Sequence, residues 1–161
     1  MTNTATTSIR CLPRSICSWS YELSWGEHRG LLELNVMGEQ GSINIDGTDF
    51  QVCKHGMLSG NWTLRHNGEE VAEAQKSSAF TRTFEIDSPG GPLRLEAESV
   101  FNRSFFLRSG DQIIATMRPD HPFTRRARIE IVAQDWDFPT ICFSFWLVAQ
   151  MWRRAANNNG G

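Results

Sequence analysis

The chain has 161 residues, a size at which one domain buries about 70% of the surface that the unfolded chain exposes. Its composition, 40% hydrophobic and 21% charged, is typical of a globular protein and excludes global disorder or a fibrous repeat. The net charge of −2 argues against a broadly basic surface, so we predict no nucleic-acid partner.

The first 17 residues are rich in Thr and Ser and show no hydrophobic period, so we predict a flexible leader over 1–17. No apolar segment typical of a secretory signal follows it. The four cysteines are scattered, without the CxxC spacing of a metal site. We expect a cytoplasmic protein, or one peripheral at a membrane, and predict neither a metal nor another cofactor.

Short alternating segments follow from Trp19 onward. Asp46-Gly47 lies between two such segments, the strongest short-range signal for a hairpin. LRLEA and RIEI alternate apolar and charged residues as half-buried strands do, and Gly, Asn, Asp and Pro separate the segments. We predict ten or eleven antiparallel strands that form a sandwich or barrel, in a single domain over residues 18–154.

An internal repeat is visible between residues 64–86 and 107–131. Both segments begin with Leu-Arg, continue with Gly and an acidic residue, and end with Phe-Thr-Arg and Glu-Ile. The second copy contains the convincing strand IIATM, so we interpret the equivalent VAEAQ as a strand despite its helix-favouring composition. Two copies indicate a duplicated unit within one sheet system, because a solenoid requires at least about three repeats.

The segment FPTICFSFWLVAQMWRR at residues 138–154 is the most apolar part of the chain. We predict a helix over about 139–154, begun by a Pro and closed by Arg153 and Arg154 in its last turn, with a flexible tail at 155–161. The fifteen residues from Phe138 to Trp152 make a helix of about 22 Å, shorter than the roughly 30 Å of a bilayer core. We therefore predict a core helix inside the barrel, and a membrane anchor is the alternative.

The many short strands, the duplicated Phe-Thr-Arg unit and the apolar C-terminal helix resemble the tubby C-terminal-like superfamily, which includes tubby, LURP-one-related and phospholipid scramblase proteins. The resemblance covers roughly residues 19–154. It implies a mainly β fold, a closed antiparallel barrel of about 12 strands wrapped around a hydrophobic helix. Tubby proteins bind phosphoinositides and scramblases bind calcium at membranes, but this sequence has no matching calcium loop or tubby signature from which to transfer a site.

The densest basic cluster gives the candidate site. Arg125, Arg126 and Arg128 follow Arg118, and the first copy of the repeat places Lys76 and Arg82 at equivalent positions. If the two copies pack side by side, these residues form a site for an anionic lipid headgroup, since Arg binds phosphate in a bidentate manner. The alternative is that they only keep a strand edge soluble.

Other motifs indicate no catalysis. We expect Asp135 and Asp137 to lie at the N-terminus of the helix, with Trp136 as a lid over the barrel mouth. Cys53-Lys54-His55 matches no nucleophile signature. We therefore predict a non-catalytic barrel that binds anionic headgroups or a membrane surface. The alternative is a protein-interaction or scaffold domain of unknown partner, and an enzyme is the third possibility.

Overall fold

The computed structural model describes residues 5–56 and 58–160. They form twelve strands and one helix: β1 Thr7–Pro13, β2 Tyr21–Trp25, β3 His28–Leu34, β4 Gly41–Ile45, β5 Thr48–Lys54, β6 Asn61–His66, β7 Glu69–Lys76, β8 Thr83–Ser88, β9 Gly91–Ala97, β10 Phe105–Ser109, β11 Gln112–Pro119, β12 Ala127–Ile131 and α1 Phe138–Asn159.

The strands form a closed antiparallel barrel in which each pairs with its neighbours along the chain. Pairing of β1 with β12 closes it, with Ile9 opposite Ile129. Closure removes both sheet edges, which would otherwise expose unpaired backbone groups. The predicted fold class is thus confirmed, and the barrel has twelve strands where the residue pattern alone indicated ten or eleven.

The prediction of a flexible leader is wrong for residues 7–13. These residues are β1, and Ile9 and Cys11 are fully buried in the core. The segment TSIRCLP places its two buried residues on alternate positions, and a strand with so few core-facing side chains is difficult to recognise in a polar segment. Residues 1–4 lie outside the described part of the chain.

The helix α1 runs through the barrel, as predicted. Its residues 140–152 are all buried, and Asp137 caps its N-terminus by accepting a 3.0 Å hydrogen bond from the Thr140 amide. The helix continues to Asn159, so the predicted flexible tail at 155–161 is wrong for residues 155–159. Arg153 and Arg154 consequently lie before its last turn, and their side chains bind loop 35–40 instead of complementing the helix dipole.

Buried aromatic side chains fasten the helix to the wall. The indole Nε1 of Trp146 donates to the Glu33 carbonyl at 3.0 Å, and that of Trp152 donates to the Arg103 carbonyl at 3.0 Å. The Trp146 contact requires a close approach at Gly41, where an added Cβ would lie 1.8 Å from the Glu33 carbonyl oxygen. At the other end of the helix Trp136 packs edge-on against Trp25, in agreement with the predicted lid.

The duplicated unit is visible in the sheet. Its first copy is β6 to β8 and its second is β10 to β12. Both copies carry a register shift at the same place, between Leu64 and Arg65 in one and between Leu107 and Arg108 in the other. A shared bulge is a structural feature that the sequence repeat preserves.

The antiparallel order gives the barrel two different ends. The loop end consists of the six loops 14–20, 35–40, 55–60, 77–82, 98–104 and 120–126, their flanking strand residues and the helix beyond Trp152. The turn end consists of the turns 26–27, 46–47, 67–68, 89–90 and 110–111, the connection 132–137 and their flanking residues. Asp46 and Gly47 both have positive φ, 48° and 91°, which confirms the predicted hairpin turn.

Candidate functional site: the loop end of the barrel

The two ends of the barrel carry opposite charge. The loop end has nine basic and three acidic residues: Arg14, Lys54, Lys76, Arg82, Arg103, Arg125, Arg126, Arg153 and Arg154, against Glu39, Glu98 and Asp120. The turn end has six acidic residues: Glu27, Asp46, Glu69, Asp111, Asp135 and Asp137. One arginine of the adjoining wall reaches it, because Arg29 of β3 donates to the Gly26 carbonyl at 3.1 Å. The net charge of −2 thus conceals a strong dipole along the barrel axis.

Three arginines of the loop end connect neighbouring loops. Arg82 donates to the carbonyls of Ser99 and Asn102, the latter at 2.9 Å, and its guanidinium lies 5.2 Å from the Phe105 ring centre. Arg103 extends in the same way to loop 120–126, where it donates to the Thr124 carbonyl at 2.6 Å.

Arg125 completes the series. It donates to the carbonyls of Ser15, Ile16 and Ser18 in loop 14–20, and it lies 5.2 Å from the Trp19 ring centre. Its guanidinium and that of Arg82, both predicted to bind a headgroup, are therefore engaged by backbone carbonyls. Arg82, Arg103 and Arg125 each bind the next loop around the barrel, so the four loops 77–82, 98–104, 120–126 and 14–20 are linked in series.

Other predicted site residues do come together, on the outer wall just below the loop end. Arg118 of β11 lies directly opposite Arg128 of β12, and Arg128 lies opposite Arg10 of β1. All three are exposed. Like charges at opposite positions destabilise a sheet. Among the described residues, the carboxylates that form ion pairs with this row are those of Glu98 and Glu130, each at 3.9 Å from one arginine.

Arg10 was missed by the sequence analysis because it lies in the presumed leader. Arg126 is exposed on the adjoining loop 120–126. Of the predicted site residues, the structure thus brings Arg118 and Arg128 together and places Arg126 on the adjoining loop. The Arg125 guanidinium is engaged by backbone carbonyls, and Arg10 from a distant part of the chain joins the row.

Lys76 lies in a different sector of the loop end, near Lys54, Arg154 and Glu39. Burial lowers the pKa of Lys76, and the Arg154 charge lowers it further. The two copies of the repeat therefore do not bring Lys76 and Arg82 into one site with Arg118 and Arg128. Sequence spacing could not reveal this, because β7 and β12 are separated by four intervening strands in the barrel.

Glu39 forms the centre of that second sector. Its carboxylate accepts hydrogen bonds from Arg154 and Lys54, and both cations lie against the Trp62 ring. Burial alone would raise the pKa of Glu39, but these two cations outweigh it and hold the pKa at about 2. The cluster lines a surface cleft of about 540 Å³, which also includes Gly38, Gln40 and Gly56.

The remaining motifs have structural roles. His55 makes a 2.8 Å hydrogen bond to the Thr63 hydroxyl, and Asp137 caps the helix. Within residues 5–56 and 58–160, no group of three or more His, Cys, Asp or Glu side chains is arranged to hold a metal ion. In the same part of the chain, no helix combines the length and apolar character needed to cross a membrane.

Comparison of the chain with protein-family models, with curated proteins and with solved structures finds no match.

Proposed function

We propose that the chain is a non-catalytic barrel domain that binds anionic membrane surfaces with its loop end. The observation that carries this proposal is the charge separation between the ends: nine basic against three acidic residues at one, and six acidic residues with Arg29 beside them at the other. Near an anionic bilayer each Lys or Arg contributes about 1 kcal/mol of attraction. The acidic turn end is repelled by the same surface, so the field also orients the barrel.

The arginine row below the loop end supplies the second support. Arg10, Arg118 and Arg128 repel one another in the unbound protein, and an anion placed between them relieves that repulsion. Guanidinium groups match the geometry of phosphate oxygens, so the phosphate of a lipid headgroup fits this position. The proposal does not depend on the tubby-like resemblance, which stays a prediction, as does the cytoplasmic location.

Vesicle co-flotation tests the proposal. The purified protein is mixed with vesicles of phosphatidylcholine alone, or of phosphatidylcholine with phosphatidylserine, at about 0.1 M and about 1 M salt, where the screening length falls from about 10 Å to about 3 Å. The test variant is Arg126→Glu/Arg128→Glu, which alters two exposed side chains. The control variant is Arg29→Glu/Arg94→Glu, which changes the net charge equally away from the loop end.

We expect the protein and the control variant to float only with the anionic vesicles, less so at high salt, and the test variant to stay in solution. Equal flotation of both variants would contradict a site at the loop end. No flotation of the unaltered protein under any condition would refute membrane binding and favour the protein-interaction alternative.

A further inference from the structure

Exposed apolar side chains are concentrated at the loop end. Among the described residues, nine large apolar side chains are exposed, and eight of these lie on the loops of the loop end: Ile16, Val36, Met37, Leu58, Phe80, Val100, Phe101 and Phe123. Each of the six loops carries at least one of them. Single exposed apolar residues are common on protein surfaces, but a random scatter would also populate the outer wall and the turn end. There only Val132 is exposed, at 39%.

The three phenylalanines are held outward by the same local turn. The amide of Phe80 donates to the Ser78 hydroxyl at 3.3 Å, and the amide of Phe101 donates to the Ser99 hydroxyl at 3.2 Å. The amide of Phe123 donates to the ring nitrogen of His121 at 3.3 Å. A polar residue two positions earlier thus fixes the backbone at each of these phenylalanines, which we call the loop tips. All three are 96–99% exposed.

Each phenylalanine also precedes a loop-connecting arginine by two residues. Phe80 precedes Arg82, and Phe101 and Phe123 stand in the same relation to Arg103 and Arg125. The side chain that projects and the side chain that anchors therefore belong to one short motif, repeated in three consecutive loops. Since each arginine binds the next loop, the tips are held on a common ring before any ligand is present, which lowers the entropic cost of binding.

The arrangement fits a bilayer better than a protein partner. A protein interface has a contiguous, closely packed apolar centre surrounded by a polar rim. Here the apolar side chains are divided among six separate loops, one or two on each, and the centre of the ring is the polar end of α1 with Arg153 and Arg154. Apolar groups that enter the acyl boundary, alternating with cations at headgroup level, are typical of interfacial membrane binding.

We propose that the loop tips insert into the interfacial region of an anionic glycerophospholipid bilayer, with the barrel axis close to the membrane normal. This inference rests on the proposed function and adds the depth and the orientation of binding. The tips enter about 5–10 Å into the boundary between headgroups and acyl chains, as interfacial apolar groups do. The basic side chains beside them remain at the level of the lipid phosphates.

Substitution of the tips tests insertion separately from charge attraction. The variant Phe80→Ser/Phe101→Ser/Phe123→Ser keeps every charge, and the matched control Phe80→Leu/Phe101→Leu/Phe123→Leu keeps the tips apolar. Each loss of a buried ring lowers membrane partitioning about tenfold, so we expect the Ser variant to bind anionic vesicles at least about 100-fold more weakly. The Leu variant should remain within about tenfold of the unaltered protein. Circular dichroism verifies that both are folded.

An environment-sensitive fluorophore reports the orientation. Cys17 is an exposed thiol on loop 14–20 beside Ile16, so in a Cys53→Ser background it accepts the label at the loop end. A label at Glu27→Cys, in a Cys17→Ser/Cys53→Ser background, lies at the turn end. On addition of phosphatidylserine-containing vesicles, we expect a blue-shifted and brighter emission from the label at position 17 and no change from that at position 27.

Three outcomes would overturn the inference, and they differ in whether the proposed binding to anionic headgroups also fails. If the Ser variant binds as well as the unaltered protein and the label at position 17 stays in water, insertion is wrong but headgroup binding stands. If the unaltered protein binds no vesicles, the proposed function fails and insertion fails with it. If the protein instead self-associates and the Ser variant is monomeric, the tips form an interface with a second copy.

Discussion

The close approach of two strands at Gly41 predicts that Gly41→Ala destabilises the barrel strongly. The added Cβ would lie 1.8 Å from the carbonyl oxygen of Glu33 and 2.9 Å from the indole nitrogen of Trp146. Normal van der Waals contact with these atoms requires about 3.5 Å, so the backbone of β3 or β4 has to move by more than about 1 Å. Neither neighbour can rotate away, because one is backbone and the other is fully buried.

The expected magnitude follows from two consequences of that movement. Overpacking of a closely packed core costs about 1–3 kcal/mol. Separation of the Trp146 indole from the Glu33 carbonyl leaves a buried donor without its partner, which costs about 1–3 kcal/mol more. We therefore expect the free energy of unfolding to fall by about 2–6 kcal/mol, a large share of the roughly 5–15 kcal/mol that holds a typical domain folded.

Equilibrium urea unfolding followed by tryptophan fluorescence measures this loss. Gly30→Ala in β3 is the matched control, since its added Cβ would meet its nearest atoms at 3.5 Å, an ordinary contact. We expect the control to lie within about 1 kcal/mol of the unaltered protein. A Gly41→Ala variant as stable as the Gly30→Ala variant would show that the strands relax easily, and the reasoning from the close approach would fail.

Two further predictions concern the contacts of the loop end. Because the pKa of Glu39 is lowered from 4.5 to about 2 in the folded state, its ion pairs stabilise the fold above about pH 4.5, and this stabilisation is lost as the pH falls towards 2. Glu39→Gln should therefore lower the free energy of unfolding by about 1–2 kcal/mol at pH 7, a figure reduced for the partial exposure of the ion pairs. At pH 3 the same substitution should lower it much less. A difference between the two proteins that does not change with pH would contradict this. Arg103→Leu should cost about 1–2 kcal/mol and accelerate amide exchange in loop 120–126, because three carbonyls lose their donor. Arg94→Leu, which breaks an exposed ion pair with Glu85, should change stability by less than about 1 kcal/mol and leave that exchange unaltered.

The fold could be predicted largely from local patterns. Alternation identified most strands. The core helix was identified from the length of residues 138–152 and from the apolar side chains that they place on every side of a helix. The helix end was misplaced because Ala155 to Asn159 have no apolar face, although they continue the hydrogen-bonded backbone beyond the barrel. The strand β1 was missed because only Ile9 and Cys11 face the core, and two such residues give too short a pattern to recognise as an alternation.

The candidate site was less accessible to sequence reasoning. Spacing along the chain does not show that Arg10 lies beside Arg128, since the two meet only where the barrel closes. It also does not show which guanidinium groups are engaged by backbone carbonyls. One signal was overlooked: Phe101-Asn102-Arg103 repeats the pattern of Phe80-Thr81-Arg82 and Phe123-Thr124-Arg125, and it lies midway between the two recognised copies. The Phe-x-Arg pattern therefore recurs once per hairpin, whereas the register shift occurs in β6–β7 and β10–β11 and not in the intervening pair β8–β9.

Closure of the barrel between β1 and β12 has a consequence for the order of folding. The two strands that complete the ring are about 120 residues apart, and contacts between such distant segments form slowly because a long loop must first be restricted. The helix that fills the lumen follows the last strand, so all twelve strands are synthesised before the helix that completes their core. Before α1 has been synthesised and has packed inside the barrel, the open sheet exposes two edges and an apolar concave face. We expect that intermediate to be the state from which this chain aggregates, and the state that a chaperone would bind.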